Sequence, residues 1–289
     1  MLWEDSLTQF APSWETTVAA VAASVLTPPN TLLDLASGAS AEPAVSLASR
    51  FPHCNVVASD NDVHMLKMAA RRVGSLDLSA RVELQQIDLA DLVAVEEGEG
   101  TSIADVVTCN LGLFMLPPAD QQPCLRGIRA LLRPGGLLVA TVWDRMALIE
   151  LGGRCLAKVL GQAEPQPLPY DSTCMGHGQA DAQLRAAGFA LLDGPLDGSA
   201  NGRRDLHNEV HTLSVELGAL EGEDAWTLGL LPYQGALATL HERGAPEGVF
   251  ERARTAFREE VLAAGWVDGE GRVVVTGLDY RVLAARKPL

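Results

Sequence analysis

Basic residues are few in this chain. Its 289 residues include 22 lysines and arginines against 37 aspartates and glutamates, a formal net charge of −15. A surface of that sign repels phosphate backbones, so DNA, RNA and anionic membrane surfaces are poor partners, and neutral or cationic small molecules are favoured. The densest basic spots, Arg71-Arg72 and Arg203-Arg204, are only pairs. Cysteines are scattered: Cys54, Cys109, Cys124, Cys155 and Cys174 form no C-x-x-C pair, and none stands at metal-ligand spacing from a histidine. No metal site is expected, and an odd, unpaired set suits a reducing compartment. Missing too is any apolar run near eighteen residues, so nothing reads as a membrane span. The opening MLWEDSLTQF carries two acids and no basic segment, unlike a signal peptide. The expected location is the cytoplasm. No internal repeat or low-complexity tract is visible.

What is present is a packed globular composition, 47% hydrophobic and 20% charged, and one informative stretch. Residues 31–60, TLLDLASGASAEPAVSLASRFPHCNVVASD, read as strand, glycine-containing turn, helix and strand. Thr31 to Leu35 is a short apolar strand with one acid. Ala36-Ser37-Gly38 turns out of it, Ala44 to Arg50 makes a helix, and Asn55 to Ser59 a second strand delivering Asp60 at its tip. In an open α/β sheet, ligands sit outside the carboxyl ends of the strands. A turn of small residues lets a ligand approach the backbone, and an acid about twenty residues later can accept hydrogen bonds from both ribose hydroxyls. The arrangement suits a nucleoside.

Further along, Val82 to Asp88 reads as a third strand ending in an acid. Ala104 to Asn110 is a fourth, followed by the helical LRGIRALL, then Arg133-Pro134-Gly135-Gly136 and the strand LLVATVW. With LLDLASG, the EPA of Glu42 to Ala44, VVASDNDVHMLKMAARR, ADVVTCNLGLFMLPP and IRALLRPGGLLVATVW in this order, the chain resembles the class I S-adenosylmethionine-dependent methyltransferases. The small-molecule branch, of the ubiquinone/menaquinone-biosynthesis type, is the nearest in look. The family turn usually carries three glycines; here Gly38 alone remains, with Ala36 in the first position and Ser40 near the third. A G-x-G-x-x-G spacing is absent, which weighs against a dinucleotide-dependent oxidoreductase. That class and a non-catalytic binding protein that keeps the fold are the alternatives.

The resemblance implies a Rossmann-like, doubly wound α/β fold with a seven-stranded, mostly parallel sheet and a helical cap. It divides the chain into an N-terminal helical segment (1–30), a cofactor-binding core (31–143), and remaining strands with cap insertions (144–289, the insertions at 144–178 and 205–264). Residues 205–264 read as mostly helical, and Arg272 to Lys287 as a closing strand or hairpin. S-adenosyl-L-methionine is the implied cofactor. Asp34 and the Ser37-Gly38 backbone would face its amino-acid end, Asp60 the ribose with Asn61 beside it, and Met65 the adenine face. Asp88 would lie near the adenine amino group, with the Leu89 N–H for a ring nitrogen, and Asn110 and Leu111 under the methionine portion. On the acceptor side, Trp143 and Asp144 end the fifth strand, and Tyr170, His211 and Tyr233 lie in cap segments. His177 and His211 are the candidate bases, since imidazole titrates near neutrality. The expected partner is a small-molecule acceptor, with the protein a monomer or homodimer.

Overall fold

The computed structural model describes residues 8–96, 98, 102–166, 179–192, 209–242 and 248–289. Helix α1 (Ala11–Ser24) precedes the sheet and ends before Pro28-Pro29, which lack the N–H a helix needs to continue. Strands β1 (Thr31–Leu35), β2 (Asn55–Asp60), β3 (Val82–Gln86) and β4 (Ala104–Asn110) alternate with α2 (Ala44–Arg50), α3 (Val63–Ser75) and, after β4, α4 (Pro118–Leu131). β5 (Leu132–Met146) leads into α5 (Ala147–Leu160). Then come α6 (Gln179–Ala186), the two-residue β6 (Ala190–Leu191), β7 (Val210–Ala219), α7 (Glu223–Gly229), α8 (Gln234–Glu242), α9 (Val249–Ala263) and β8 (Arg272–Arg286).

The sheet order is β3-β2-β1-β4-β5-β8-β6, with β7 also paired to β8. β1 to β5 are mutually parallel, and β8 runs antiparallel between β5 and β6. The central strands β1 and β4 are buried on both faces, which is why they read as near-continuous apolar runs. One face packs against α4 and α6 through Leu125, Ile128 and Leu184. The other carries α1, α2 and α3 through Val21, Leu47 and Val73.

Among the described residues the sheet holds eight strands, one more than expected. The added strand, β7, falls where a helical pattern was read. Val210, Leu213, Leu217 and Leu220 do stand at helical spacing, but Leu213, Val215 and Leu217 alternate equally well, and β8 supplies the pairing that decides. Thr212, Ser214 and Glu216 face outward between them. β5 and β8 also run past the carboxyl edge of β4. Asn110 pairs with Thr141, yet β5 continues to Met146, still paired with β8. This overrun, with β7, α5, α7 and α9, encloses a third core containing Trp143, Leu151, Trp226, Tyr233, Phe257 and Tyr280.

At the centre of the carboxyl edge sits Asp34, fully buried. The Ser37 hydroxyl donates to its Oδ2 and the Thr108 hydroxyl to its Oδ1, both at 2.6 Å. Its backbone carbonyl accepts from the Ser59 hydroxyl at 2.9 Å, and the Ser37 N–H donates to the Ser59 carbonyl at 2.8 Å. Side chains of β4 and the turn after β1 therefore meet at the Asp34 carboxyl group, and β2 is tied to the same residue through its backbone carbonyl. Burial pushes that carboxyl up from 3.8 to about 7, outweighing the hydroxyl donors and an N–H from Ala44 that favour the ionised form.

The turn itself uses the left-handed region at Ala36 (φ 54°), Gly38 (φ 63°) and Ala41 (φ 52°). Ala36 thus adopts the conformation a glycine would favour, at about 1–2 kcal/mol. Its methyl group is accommodated because residue 112 is glycine: a Cβ there would lie 2.7 Å from the Ala36 Cβ and 2.9 Å from the Cys109 Sγ.

Two outcomes follow. Since the folded-state value of Asp34 lies above its unfolded one, the native protein holds an extra proton between about pH 4 and 7. Its contribution is complete below that window and lost as pH rises through it, at up to about 1.4 kcal/mol per pH unit. Urea unfolding of wild type and Asp34→Asn from pH 4.5 to 8 should show the wild-type stability falling relative to the variant; a constant difference contradicts the assignment. In the same assay Ala36→Gly should gain up to about 1 kcal/mol by relieving the backbone. Gly112→Ala should lose about 1–3 kcal/mol by overpacking; a stable Gly112→Ala protein would show that the close approach is unimportant.

Candidate functional site

The loops leaving β1, β2, β3 and β4 surround a cavity of about 580 Å³ at the carboxyl edge of the sheet. A volume of that size suits a small molecule or cofactor. Gly38 and Ala39 from the β1 turn form one side, with no atom within 4 Å of where a Gly38 Cβ would stand. Asp60, Asn61 and Asp62 follow from the end of β2, and Met65 and Met68 reach in from α3. Ile87, Asp88 and Leu89 come from the end of β3. Leu111, Gly112, Phe114, Met115 and Leu116 close the cavity from the loop after β4. Three carboxylates and no lysine or arginine stand among these lining residues, so the walls favour hydroxyl and amino donors over anions.

Asp60 is pre-set by the backbone. The Gly38 N–H donates to its Oδ2 and the Asp62 N–H to its Oδ1, both at 3.0 Å. Each oxygen keeps a further lone pair for an incoming hydroxyl. Asp62 in turn caps α3 by accepting from the His64 N–H at 2.7 Å. Asp88 accepts from the Ala90 N–H at 2.9 Å and from the Asn61 side chain at 3.4 Å, linking the β2 and β3 ends across the opening. Leu111 holds φ 52°, a left-handed angle for a branched residue. It is fixed there because its N–H donates to both the carbonyl (3.1 Å) and the hydroxyl (3.0 Å) of Thr141.

Of the sequence-derived residues, Gly38, Asp60, Asn61, Met65, Asp88, Leu89 and Leu111 line this one cavity. Asp34 and Ser37 lie behind the turn as its internal support, buried and bonded to each other. The Asn110 amide is likewise engaged: Thr17 and Thr141 donate to its Oδ1 at 3.3 and 2.7 Å, and its Nδ2 donates to the Ser13 hydroxyl at 3.1 Å. It joins α1 to the sheet edge. Sequence reading passed over Asp62, Met68, Ile87 and the Gly112–Leu116 loop. The signal was available, because every loop at the carboxyl edge of such a sheet can face the ligand, and Met68 stands one helical turn from Met65.

The acceptor-side residues fall elsewhere. The described walls of the cavity come from residues 36–116 alone. Tyr170 and His177 lie outside the described residues. Asp144 accepts from the Arg281 guanidinium at 2.8 Å. Tyr233 is buried in the cap, its hydroxyl donating to the Ile149 and Gln166 carbonyls at 3.1 and 3.2 Å. Its ring lies where a side chain on Gly152 would be, 2.2 Å from that position. Trp143 is buried against Phe10, and His211 stacks on Tyr280. These residues join the cavity only indirectly: Leu111 and Phe114 belong to its wall and also pack against the cap core.

Comparison with known proteins agrees with this geometry. Residues 32–136 match the family described as "Methyltransferase domain". The carboxy-S-adenosyl-L-methionine synthase of Geobacter metallireducens is 37% identical over 115 residues, 38% of this chain and 43% of that protein. The synthase of the same name from Salmonella arizonae is 32% identical over 90 residues, 31% of this chain and 34% of that one. The chain therefore spans less than half the length of these curated relatives. Among solved structures, the YcgJ protein from Bacillus subtilis aligns with a TM-score of 0.53 at 13% identity, covering 95% of this chain and 99% of its own. The (4+2)-cyclase SpnF aligns at 0.52 and 18% identity, covering 96% and 82%. Residues 32–136 thus resemble a methyltransferase domain, and the chain shares the fold of YcgJ and SpnF over nearly its whole length.

Proposed function

We propose that this protein binds S-adenosylmethionine with its adenosine in the cavity between Gly38 and Leu116 and transfers the methyl group to a small-molecule acceptor, neutral or cationic. The observation that supports this most is the convergence, on one cavity, of an open glycine turn, a ribose-type acid (Asp60) pre-oriented by two N–H groups, and a second acid (Asp88) across an apolar slot. The names of the curated relatives, which make a carboxylated form of that cofactor, point to the same molecule.

The residues fit such a group. Asp60 would accept the ribose hydroxyls with its remaining lone pairs, and Asp88 and Leu89 would meet the adenine edge. Met65, Met68 and Phe114 would flank its faces, and the Gly38 turn would admit the chain leading to the sulfur. The bound cofactor supplies an already activated sulfonium methyl, so the protein's task is chiefly to hold an acceptor close and in line. A base is needed only where the acceptor must lose a proton. His211 and His177 are the histidines this reading keeps for that role, and Trp143 and His211 remain its acceptor-side contacts. Asp144 and Tyr233 instead hold the cap together through Arg281 and the α5 backbone. The acid-lined opening and the −15 net charge support a small molecule over nucleic acid.

Asp60→Ala removes a charged acceptor for two hydroxyls and should weaken S-adenosylhomocysteine binding by about 2–3 kcal/mol. Isothermal calorimetry on the folded variant reads this directly. Unchanged affinity, with circular dichroism confirming the fold, would place the nucleoside elsewhere.

A further inference from the structure

Ser13 and Thr17 of α1 and Thr141 of β5 are wholly buried. Core-facing positions on a helix or strand ordinarily carry alanine or valine, since a buried hydroxyl is costly unless it is bonded. Here the three hydroxyls are bonded in series. The Leu111 N–H donates to the Thr141 hydroxyl at 3.0 Å, and that hydroxyl donates to the Asn110 Oδ1 at 2.7 Å. The Asn110 Nδ2 donates to the Ser13 hydroxyl at 3.1 Å, which donates to the Phe10 carbonyl at 2.8 Å. Thr17 adds a second donor to the Asn110 Oδ1 at 3.3 Å.

Every link donates in the same direction, so each polarises the next and the series is stronger than its separate bonds. The direction is set at the α1 end. Ser13 commits its proton to the Phe10 carbonyl and can only accept, which turns the Asn110 NH₂ toward α1 and its Oδ1 toward Thr141. Thr141 then gives its own proton to Asn110 and keeps a lone pair for Leu111.

The far end of the series is cavity wall. Leu111 lines the cavity at φ 52°, a left-handed angle at which its Cβ crowds the backbone. Such an angle persists only where the surroundings hold it, and the Leu111 N–H is the group that Thr141 holds. The same turn lays Gly112 so close to the β1 turn that a Cβ on it would stand 2.7 Å from that of Ala36. From there the chain continues into Phe114, Met115 and Leu116 of the wall.

We infer that Ser13 is a positioning residue for the cofactor: acting through Asn110 and Thr141, it holds Leu111 in the conformation that shapes the cavity wall. This rests on the methyltransferase reading and brings into it a helix that supplies none of the described lining residues. The seating of α1 and the binding of the nucleoside are thereby coupled, and by linkage each strengthens the other.

The test compares the whole chain with Ser13→Ala and with Thr16→Val. The second change removes a hydroxyl of α1 that lies 2.9 Å from the Tyr280 hydroxyl and takes no part in the series. Calorimetry reads S-adenosylhomocysteine affinity, and NMR of protein labelled with ¹⁵N-leucine reads the Leu111 amide, assigned by its loss in Leu111→Met. Ser13→Ala should bind about five-fold more weakly, the size of one net hydrogen bond. Without ligand, its Leu111 amide proton should move upfield as the acceptor weakens. Thr16→Val should change neither. Thr141→Val and Thr141→Ser give an independent pair: loss of the hydroxyl should weaken binding, and its return in serine should restore it. Equal affinity in wild type and Ser13→Ala, an unmoved Leu111 amide, an equal loss in Thr16→Val, or no difference within the Thr141 pair overturns the inference. Failure of the wild type to bind S-adenosylhomocysteine overturns instead the reading beneath it, and the amide shift then still tests the series.

Discussion

The carboxyl group of Asp34 is the constraint around which the site is built. Strand ends in an open sheet leave backbone groups and loops free to drift, and a ligand cavity made from four loops needs them fixed to a fraction of an ångström. Here Ser37, Ser59 and Thr108 converge on one residue, so the turn after β1, the end of β2 and the end of β4 are tied together. A buried polar network of this kind is favourable only when its members are satisfied. The Ser37 and Thr108 hydroxyls meet that condition at the two carboxyl oxygens, while burial raises the pKa of the group to about 7. The cavity-lining acids, Asp60 and Asp88, are held one layer further out by backbone N–H groups.

A second consequence of the architecture is the overrun of β5 and β8. Carrying the two strands beyond the β4 edge creates an apolar platform, which β7, α5, α7 and α9 cover. Leu111 and Phe114 are shared between platform and cavity, so a change in cap packing is transmitted to the site through them. α1 joins from the other side, tied to the sheet edge through Ser13, Thr17 and Asn110. The N-terminal helix is thus tied to Asn110, next to Leu111 of the cavity wall, and the cap core reaches Leu111 and Phe114.

The sheet was legible in the sequence because its central strands are short apolar runs bounded by glycine, proline and acid. β1, α2 and β4 fall on the residues expected. The cavity lining at the β1 turn and at the tips of β2 and β3 was legible for the same reason, since strand tips and the turn after β1 name their own positions. Asp34, Ser37 and Asn110 were read as ligand-facing; their polar groups prove to be engaged within the protein, a distinction made by burial and partner geometry, neither of which a motif contains. β7 was missed because its apolar residues satisfy helical and alternating spacing at once, and only pairing with β8 selects between them. The rest of the β4 loop was quoted but not assigned, because Gly112 to Leu116 carries no polar residue to mark it. Trp143 was noted as an aromatic at a strand end. That its N–H has no hydrogen-bond partner among the described residues is visible only in the packed core.

The claim on which the account stands is that this cavity receives the nucleoside of S-adenosylmethionine. The direct measurement is a thermal-shift comparison of S-adenosylhomocysteine with NAD on the wild-type chain. At a hundred-fold excess over its dissociation constant, S-adenosylhomocysteine should add about 2.7 kcal/mol and raise the melting temperature by several degrees, with NAD leaving it unchanged. A shift with NAD and none with S-adenosylhomocysteine would contradict the account.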